Sequence, residues 1–509
     1  MLWALPVMLG FLAATIQLSL LITKFLSFES VDVSTIREGL PVEFPAVTIC
    51  NLQNLSPDNL HKFIFNHTEL FDWIRIVATN NFEEHATRMS SYQTMYEHLP
   101  EIATLIGHDF AQTILHCRFN RRDCDRANFT LFFDNKDFYN CFTFNSGFES
   151  DSYDHIHKKL LIQDTGTKKG LSLVIALNTV TGYPGKHGEY IPSDPLGHQS
   201  GLRVQIHAPN TRPSPADHGF DIPPGFSSSI GLKARLRSRM QQPHGNCTNK
   251  HLEADGRVYR YTLFTCLQLC KQKKLVQKCG CKTSALPMYK DTNNEFVPFC
   301  GSVENWKELL EEIWKRRTGI GVQEVRKTIE SLSCEVNLLE TLANDRSYES
   351  SCRCAQPCQE TIYEKSLSLS YWPSELYQMS AVQSLYKNQT MSSALKNAHK
   401  LLTNIIEKYN VKYANISEVM DYFKDDLIAI NRATTLIHGN LLKLDIYFED
   451  LYVEELNQIP AYGLENLLAD IGGTLGLWMG ISVLTIAELI ELIIRLCSIV
   501  TKADKTDDV

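Results

Sequence analysis

Three carboxylates around an apolar stretch near the C-terminus have a spacing that could serve cation conduction. Asp470 and Glu488 enclose seventeen uncharged, mostly apolar residues, and Glu491 follows one turn later. In a continuous helix the first two carboxylates would share a face and lie about 27 Å apart. Acidic side chains are costly in lipid and normally face a protein interior or a water path. The segment therefore favours the lining of a cation pore over a single-pass anchor with charges at the two membrane surfaces.

The N-terminus supplies a second apolar stretch. Residues 2–23 contain no charged side chain, and about 20 apolar residues are enough to cross a bilayer. A cleaved signal peptide would begin with a charged region and have a shorter apolar core. We therefore expect two membrane spans, at residues 1–26 and 461–496. A soluble region at 27–460 lies between them, and a short tail at 497–509 follows.

Cysteine usage indicates which side of the membrane the soluble region faces. Fourteen of the fifteen cysteines lie between Cys50 and Cys358, an even set that is typical of disulfides in an oxidising compartment. Asn-x-Ser/Thr sequons fall in the same region, at Asn54, Asn66, Asn128, Asn246, Asn388 and Asn415. Pro57 weakens the first of them, and basic residues after the second span fit a cytosolic tail. We therefore expect a glycosylated extracellular region, a plasma-membrane location and two cytosolic termini.

Composition and motifs argue against several other classes. A net charge of −8 disfavours nucleic-acid binding. An ectonucleotidase would need glycine-rich phosphate loops with acidic partners, which the sequence lacks, so we expect no enzyme activity and no cofactor. An ATP-gated channel shares the two-span layout, and its phosphate site could only be the basic run at residues 233–239. The cysteine pairs at 279–281 and 352–354 favour disulfides over zinc, because their spacers are too short.

Periodicity predicts a mixed α+β soluble region. Short β-type runs occupy residues 42–49, 141–144, 171–177, 202–207 and 441–448. Helical patterns occupy residues 303–317, 322–342 and 374–438, the last interrupted near Asn410.

A series of short motifs, in a fixed order between the two apolar stretches, resembles the degenerin/epithelial sodium channel family. The motifs are FPAVTICN at residues 44–51, CRFNRRDC at 117–124, CFTFN at 141–145, CGC at 279–281, CRCAQPC at 352–358, LADIGG at 468–473 and GIS at 480–482. Each motif alone is a weak signal. Together they cover most of the chain and are specific for the family.

The resemblance implies a homotrimeric channel in membrane lipid, with a hand-like ectodomain. Its parts would be a palm, a β-ball, a finger, a thumb at about residues 247–358 and a knuckle at about 374–440. Cysteine order in the family implies seven disulfides: Cys50–Cys141, Cys117–Cys124, Cys247–Cys358, Cys266–Cys354, Cys270–Cys352, Cys279–Cys334 and Cys281–Cys300. No bound metal is implied.

The resemblance also implies a pore that selects sodium ions. Gly480, Ile481 and Ser482 would form the selectivity filter, because glycine permits a chain break and backbone carbonyls can then replace water around sodium.

Four further residues of this segment have implied roles. Asp470, Glu488 and Glu491 would concentrate cations on the two sides of the filter. Ala469 would stand at the gate, where the family requires a small side chain. Amiloride would block such a channel.

Members of the family differ in what opens them. Acid-sensing relatives carry paired histidines after the first span, where this chain has Glu29 and Ser30. They also join the first span to the thumb by a Tyr and a Trp, where this chain has Phe28 and His244. Mechanically gated degenerins usually have a larger ectodomain. The chain therefore resembles most the invertebrate sodium channels opened by short amidated peptides related to FMRFamide, with proton or mechanical gating as alternatives.

An aromatic run in the finger is the candidate peptide site. A peptide with two Phe rings and an Arg needs apolar slots and a carboxylate. The candidate residues are Phe129, Phe132, Phe133, Asp134 and Asp137. Successive residues of a strand face opposite ways, so Phe132 and Phe133 cannot both line one pocket. The alternative is a buried strand of a disulfide-rich domain.

Overall fold

The computed structural model shows two compact units. It describes residues 4–38, 41–66, 104–124, 126–134, 137–148, 160–178, 199–289, 297–300, 320–345, 347–374, 377–386, 391–409 and 427–503. The first unit comprises Met1–Thr35, Ser238–Cys247 and Glu455–Val509. The second comprises Ile36–Arg237 and Thr248–Glu454.

Helices and strands alternate along the chain, as the mixed pattern predicts. The helices are α1 (Ala4–Leu26), α2 (Pro57–Asn66), α3 (Phe110–Thr113), α4 (Pro215–His218), α5 (Leu263–Cys279), α6 (Ile320–Asn344), α7 (Ser347–Ser351), α8 (Gln378–Tyr386), α9 (Ser393–Tyr409), α10 (Leu427–Asn440), α11 (Leu464–Met479) and α12 (Val483–Ala503). The strands are β1 (Ser30–Arg37), β2 (Val42–Glu43), β3 (Ala46–Asn51), β4 (Ile114–Phe119), β5 (Arg122–Asp123), β6 (Phe129–Asp134), β7 (Tyr139–Phe144), β8 (Leu161–Ile162), β9 (Leu171–Ala176), β10 (Leu202–His207), β11 (Phe220–Ile222), β12 (Phe226–Ser238), β13 (Cys247–Thr248), β14 (His251–Ala254), β15 (Arg257–Arg260), β16 (Gln356–Pro357), β17 (Gln359–Tyr371) and β18 (Leu441–Pro460).

Two sheets form the centre of the second unit. One has the strand order β17-β12-β18-β9-β4-β5, and the other has the order β11-β10-β3-β7-β6. Their apolar faces share one core, in which the ring of Phe44 lies 5.0 Å from Phe119 and 6.1 Å from both Phe144 and Phe448. Burial of these large side chains is the main stabilising contribution to this unit.

Disulfides hold the helices that follow the sheets. The structure contains Cys50–Cys141, Cys117–Cys124, Cys266–Cys354, Cys270–Cys352, Cys279–Cys334 and Cys281–Cys300. Cys247 and Cys358 are also disulfide-bonded. Six of the seven implied pairs are therefore present, and both cysteines of the seventh pair are disulfide-bonded. The zinc alternative is wrong, because the sulfurs at 279–281 and 352–354 are consumed by disulfides.

A separate apolar cluster joins the helices near the end of the second unit. Leu395, Ala398 and Leu402 follow the helical period along α9 and pack with Ala433 and Ile437 of α10. The described part of the predicted helical zone at residues 374–438 therefore contains three helices, and residues 410–426 between α9 and α10 lie outside the described residues.

Several predicted elements agree with the structure and others differ. Strand β10 has the predicted bounds, and α6 extends the predicted helix 322–342 by two residues at each end. The predicted strand 441–448 continues to Pro460, and this longer strand pairs with β9, β12 and β1. The predicted helix 303–317 lies outside the described residues.

Candidate ion-conducting site

The segment between the carboxylates is broken at Gly480-Ile481-Ser482. Helix α11 ends at Met479 and α12 begins at Val483. Gly480 has φ +67° and ψ 16°, a left-handed conformation that residues with a side chain rarely adopt. Its N–H donates to the Gly476 carbonyl at 3.1 Å, and the Ile481 N–H donates to the Leu475 carbonyl at 3.3 Å. Glycine at this position thus ends the helix.

Ser482 starts the next helix. Its hydroxyl accepts from the Thr485 N–H at 3.3 Å, and its own N–H lies 3.4 Å from the Thr485 hydroxyl. This reciprocal pattern is a capping box, which satisfies backbone donors that an incipient helix leaves open. The chain break implied at Gly480 is therefore present, and the continuous helix that would place Asp470 and Glu488 on a single face does not form, because Gly480 and Ser482 together specify an end and a new start.

The first apolar stretch is a single helix. Within the part of the chain that the structure describes, Met8–Leu26 is the one helix that is long and apolar enough to cross a membrane. A methyl group on Gly10 of this helix would lie 3.0 Å from the Trp478 carbonyl oxygen, so glycine permits a close approach of α1 to the end of α11.

A polar side chain inside the first span has its partner next to the break. Trp478 donates its indole N–H to Oε1 of the Gln17 side-chain amide at 2.8 Å. A glutamine amide in an apolar span is costly without such a partner. The sequence contained a signal for this contact, namely the one amide in an otherwise apolar stretch, but its partner 461 residues away could not be predicted.

Asp470 is held near the start of α11. The Tyr462 hydroxyl donates to Asp470 Oδ2 at 2.6 Å, and Lys24 Nζ lies 4.7 Å from the centre of the Tyr462 ring. The end of α1 and the start of α11 therefore meet at one tyrosine. The side chain of Ala469 is exposed in the single chain.

The remaining predicted pore carboxylates lie on α12. Glu488 is exposed, and Glu491 forms an ion pair with Arg495 one turn later. Both members of this pair are well exposed, so it contributes little to stability. The Arg495 charge does offset the charge of Glu491, so Glu488 and Glu491 together with Arg495 carry a net charge of about −1 instead of −2.

Two residues that replace an aromatic pair of acid-sensing relatives are in contact. The rings of Phe28 and His244 are 5.3 Å apart in an edge-to-face arrangement, and His244 Nδ1 lies 3.3 Å from the Phe28 carbonyl oxygen. Phe28, just after α1, is therefore in direct contact with the residue three before Cys247.

The structure separates the aromatic residues of the predicted peptide site. Phe129 is buried in the shared core, 5.1 Å from the Phe110 ring, and Phe132 is buried against the Cys50–Cys141 disulfide. These two rings are core residues because β6 pairs with β7 over its whole length. The expectation that they form ligand pockets is not supported by this burial.

Phe133 and its neighbours differ from the two core rings. The Phe133 side chain is half-buried and stacks on Tyr139 with 6.1 Å between ring centres. Asp134 Oδ1 accepts from the Asp137 N–H at 2.8 Å and so shapes the turn between β6 and β7. Of the predicted set, Phe133, Asp134 and Asp137 remain at the surface side of this hairpin.

Two of the four cations in the basic run considered for phosphate binding pair with carboxylates of their own sheet. Lys233 lies 3.7 Å from Asp450, and Arg235 lies 3.0 Å from Glu364 and 2.7 Å from Glu454. These two cations form ion pairs with carboxylates of neighbouring strands, which argues against a triphosphate site here.

The exposed glycosylation candidates are Asn128 and Asn246. Asn66 is the last residue of α2. Asn388 and Asn415 lie outside the described residues.

Comparison with known proteins gives a family match along nearly the whole chain. The family described as amiloride-sensitive sodium channel matches residues 1–492. A relative from Cornu aspersum, the FMRFamide-activated amiloride-sensitive sodium channel, is 43% identical over 99% of this chain and 80% of its own length.

More distant relatives include acid-sensing ion channel 1C of Danio rerio, 26% identical over 88% of this chain and 69% of its own length. Degenerin-like protein unc-105 of Caenorhabditis elegans is 27% identical over 76% of this chain, which spans 35% of that relative. The resemblance carried by the motifs is confirmed, and this chain belongs to the amiloride-sensitive sodium channel family.

Proposed function

We propose that this chain forms a sodium-selective, amiloride-blocked cation channel of the plasma membrane that is opened by an extracellular FMRFamide-type peptide. The observation that carries the proposal is the 43% identity to the Cornu aspersum channel over 99% of this chain. A match of this length covers the ectodomain as well as both apolar stretches, so it bears on the trigger and on the pore.

The proposed conduction path follows α11 and α12. Residues 461–496 form the second span, three copies of the chain surround the axis, and both termini are cytosolic. The break at Gly480-Ile481-Ser482 supports a filter role, because backbone carbonyls freed from a helix can coordinate a cation. Asp470 and Glu488 attract cations on the two sides, and Glu491 does so less strongly because of its pairing with Arg495. Ala469 forms the gate.

The proposed peptide site lies in the ectodomain, residues 27–460, with a thumb at 247–358 and a knuckle at 374–440. In the finger, Phe133 offers a half-buried ring, while Asp134 and Asp137 offer carboxylates for a cationic side chain. A short peptide docks in this way through one ring and one charge-assisted hydrogen bond.

Current recording tests the proposal. Cells expressing the chain are exposed in turn to FMRFamide, to the same peptide with a free C-terminal carboxylate, to acid and to ATP. We expect inward current with the amidated peptide alone, block by amiloride, and loss of the current when external sodium is replaced by an impermeant cation. Current evoked by acid but not by peptide would replace the trigger, and current carried by chloride would overturn the pore.

The role of Glu488 has a separate test. Glu488→Gln should lower single-channel current or sodium preference while surface expression is kept, because the charge sits where permeating ions would pass. Glu349→Gln, an exposed change in α7, serves as the matched control. Unchanged conduction in Glu488→Gln would remove this residue from the path.

A further inference from the structure

A cavity in the second unit is not used by the proposed function. Its volume is about 840 Å³, and it lies where the β14–β15 hairpin meets strands β12, β17 and β18. Ligand cavities for small molecules measure roughly 300–1,000 Å³. Apolar side chains form much of its wall, including Val42, Phe148, Val258, Leu451 and Val453.

The charged lining of this cavity is mostly cationic. Three cations, Arg37, Lys250 and Arg260, and the single carboxylate Glu43 are among its described lining residues. The guanidinium of Arg260 donates to the Gln359 carbonyl at 3.4 Å. Neither Lys250 nor Arg260 forms an ion pair with a carboxylate in the described chain.

Cations elsewhere in the same unit contrast with these two. Arg212 pairs with Asp255 at 2.6 Å, and Arg203 pairs with Asp221 at 2.9 Å. The protein therefore supplies carboxylates to neighbouring arginines but leaves positive charge at the cavity wall. Lys250 is exposed and Arg260 is half-buried, so an anion that enters the cavity can form charge-assisted hydrogen bonds with both.

A tyrosine hydroxyl adds a directional donor. Tyr363 lines the cavity, is 8% exposed, and its hydroxyl has no hydrogen bond within the described ranges. Burial and the nearby Glu43 carboxylate raise the pKa of Tyr363, so the hydroxyl keeps its proton and can donate. Because this hydroxyl has no partner in the described chain, it can donate to an acceptor atom of a ligand in the cavity.

We propose that this cavity binds an organic anion with an apolar body and a carboxylate, sulfonate or phosphate head group. The head group pairs with Arg260 and Lys250 and accepts from Tyr363. The apolar body packs against Val258 and Leu451. The site goes beyond the proposed function, since an amidated peptide with a cationic side chain has the opposite charge.

A set of three probes with the same ring tests the charge. Naphthalene-2-sulfonate, the neutral naphthalene-2-sulfonamide and the cation 2-naphthylmethylammonium are titrated onto the purified full-length protein by ligand-observed NMR. We expect the sulfonate to bind most tightly. Equal binding of the sulfonamide, or tighter binding of the ammonium, overturns the proposal.

Variants then test whether the sulfonate binds in this cavity. Arg260→Gln should weaken sulfonate binding about ten-fold or more, because it removes a charge-assisted hydrogen bond. Lys168→Gln removes an exposed cation outside the cavity and should leave binding unchanged. Val258→Trp keeps every charge but places an indole ring where the apolar body would pack, and it should weaken binding; Val258 is exposed enough to accept the change.

Folding of each variant is checked by its thermal unfolding midpoint, so that loss of binding reports the site. Sulfonate binding that survives both Arg260→Gln and Val258→Trp at wild-type midpoints would show association with another surface and overturn the proposal.

Discussion

The sheets of the second unit and the helices of the first unit use similar apolar side chains in opposite ways. Phe44 is 0% exposed between two sheets, whereas Leu477 of α11 and Leu484 of α12 are 77% and 75% exposed. A sheet core is complete within one chain, because its side chains fill each other's spaces. The outer faces of α11 and α12 stay uncovered in the single chain, and in the proposed trimer lipid or other copies of the chain would cover them.

This difference separates two kinds of interaction. In the sheets, stabilisation comes from burial shared among many side chains. Between α1 and α11 it comes from a few specific contacts, such as Gln17 with Trp478 and Lys24 with Tyr462. We therefore expect substitutions in the sheets to change folding, and substitutions in the helices to change conduction and gating at nearly constant stability.

The largest expected effect is in the sheet core. Phe44→Ala should destabilise the protein by about 3–5 kcal/mol and strongly reduce surface expression, because it opens a cavity among Phe119, Phe144 and Phe448. Urea unfolding of the purified protein measures the loss. Leu161→Ala, 47% exposed in β8, should change stability by less than about 0.5 kcal/mol. Similar losses in both variants would contradict the idea of a core complete within one chain.

Ala469 provides the opposite case. Ala469→Val should leave the unfolding midpoint unchanged, since its side chain is exposed in the single chain. If three helices meet here, the added methyl groups crowd the closed gate by about 1–3 kcal/mol, roughly 5- to 150-fold in the gating equilibrium. Current without peptide, blocked by amiloride, measures the effect. Ala461→Val, exposed before α11, is the control, and a silent Ala469→Val channel with an unchanged peptide response would refute the gate role.

Local patterns and family motifs predicted different parts of this molecule. The alternation of residues 202–207 was enough for β10, and the helical period was enough for α6. The disulfides needed the family resemblance, because fourteen cysteines allow many pairings. The break at Gly480 was implied by the family motif and fits glycine chemistry, whereas the role of Ser482 as a helix cap was not predicted.

Contacts between distant residues could not be predicted from one sequence. Arg235 meets Glu454 across 219 residues, so the run at 233–239 looked like a free basic patch. The burial of Phe132 depends on the Cys50–Cys141 disulfide, which belongs to other strands. The cavity at Arg260 is bounded by several strands that lie far apart in the sequence. These are tertiary facts, and local pattern carries no information about them.

A buried histidine in the second unit gives an intermediate effect that depends on pH. His108 is 3% exposed, and its Nε2 lies 2.7 Å from the Gln53 carbonyl oxygen, to which the neutral ring donates. Burial lowers the pKa of His108 to about 4 from 6.5. The unfolded chain therefore binds a proton between these values that the folded chain does not. The stability contributed by neutral His108 is present above pH 6.5 and is lost as pH falls toward 4.

Lowering the pH from 7 to 5 should cost about 2 kcal/mol through this group. His108→Gln keeps a neutral donor without the titration, so its unfolding midpoint should fall less over the same pH range. The difference between the two pH profiles isolates His108 from every other titrating group. Parallel profiles for wild type and His108→Gln would show that His108 is not buried in its neutral form.

The smallest expected effect concerns the contact between α1 and α11. Trp478→Phe removes the indole donor and leaves the Gln17 amide without its partner in an apolar span. Interhelical hydrogen bonds of this kind contribute about 0.6 to 2 kcal/mol. Because Trp478 lies two residues before Gly480, we expect the loss to appear in the peptide response and in sodium preference, and only weakly in the unfolding midpoint.

A double-mutant cycle separates the hydrogen bond from the size of the indole ring. Gln17→Leu removes the polar group that needs a donor, so Trp478→Phe should cost less in a Gln17→Leu background than in the wild type. Leu477→Phe adds a ring at the neighbouring exposed position and is the control for a general effect of aromatic substitution. A coupling energy of about 1 kcal/mol in the gating equilibrium would support a specific contact between the helices. Additive effects would mean that packing at Gly10, and not this hydrogen bond, holds α1 and α11 together. The helices would then be stabilised by packing, as the sheets are.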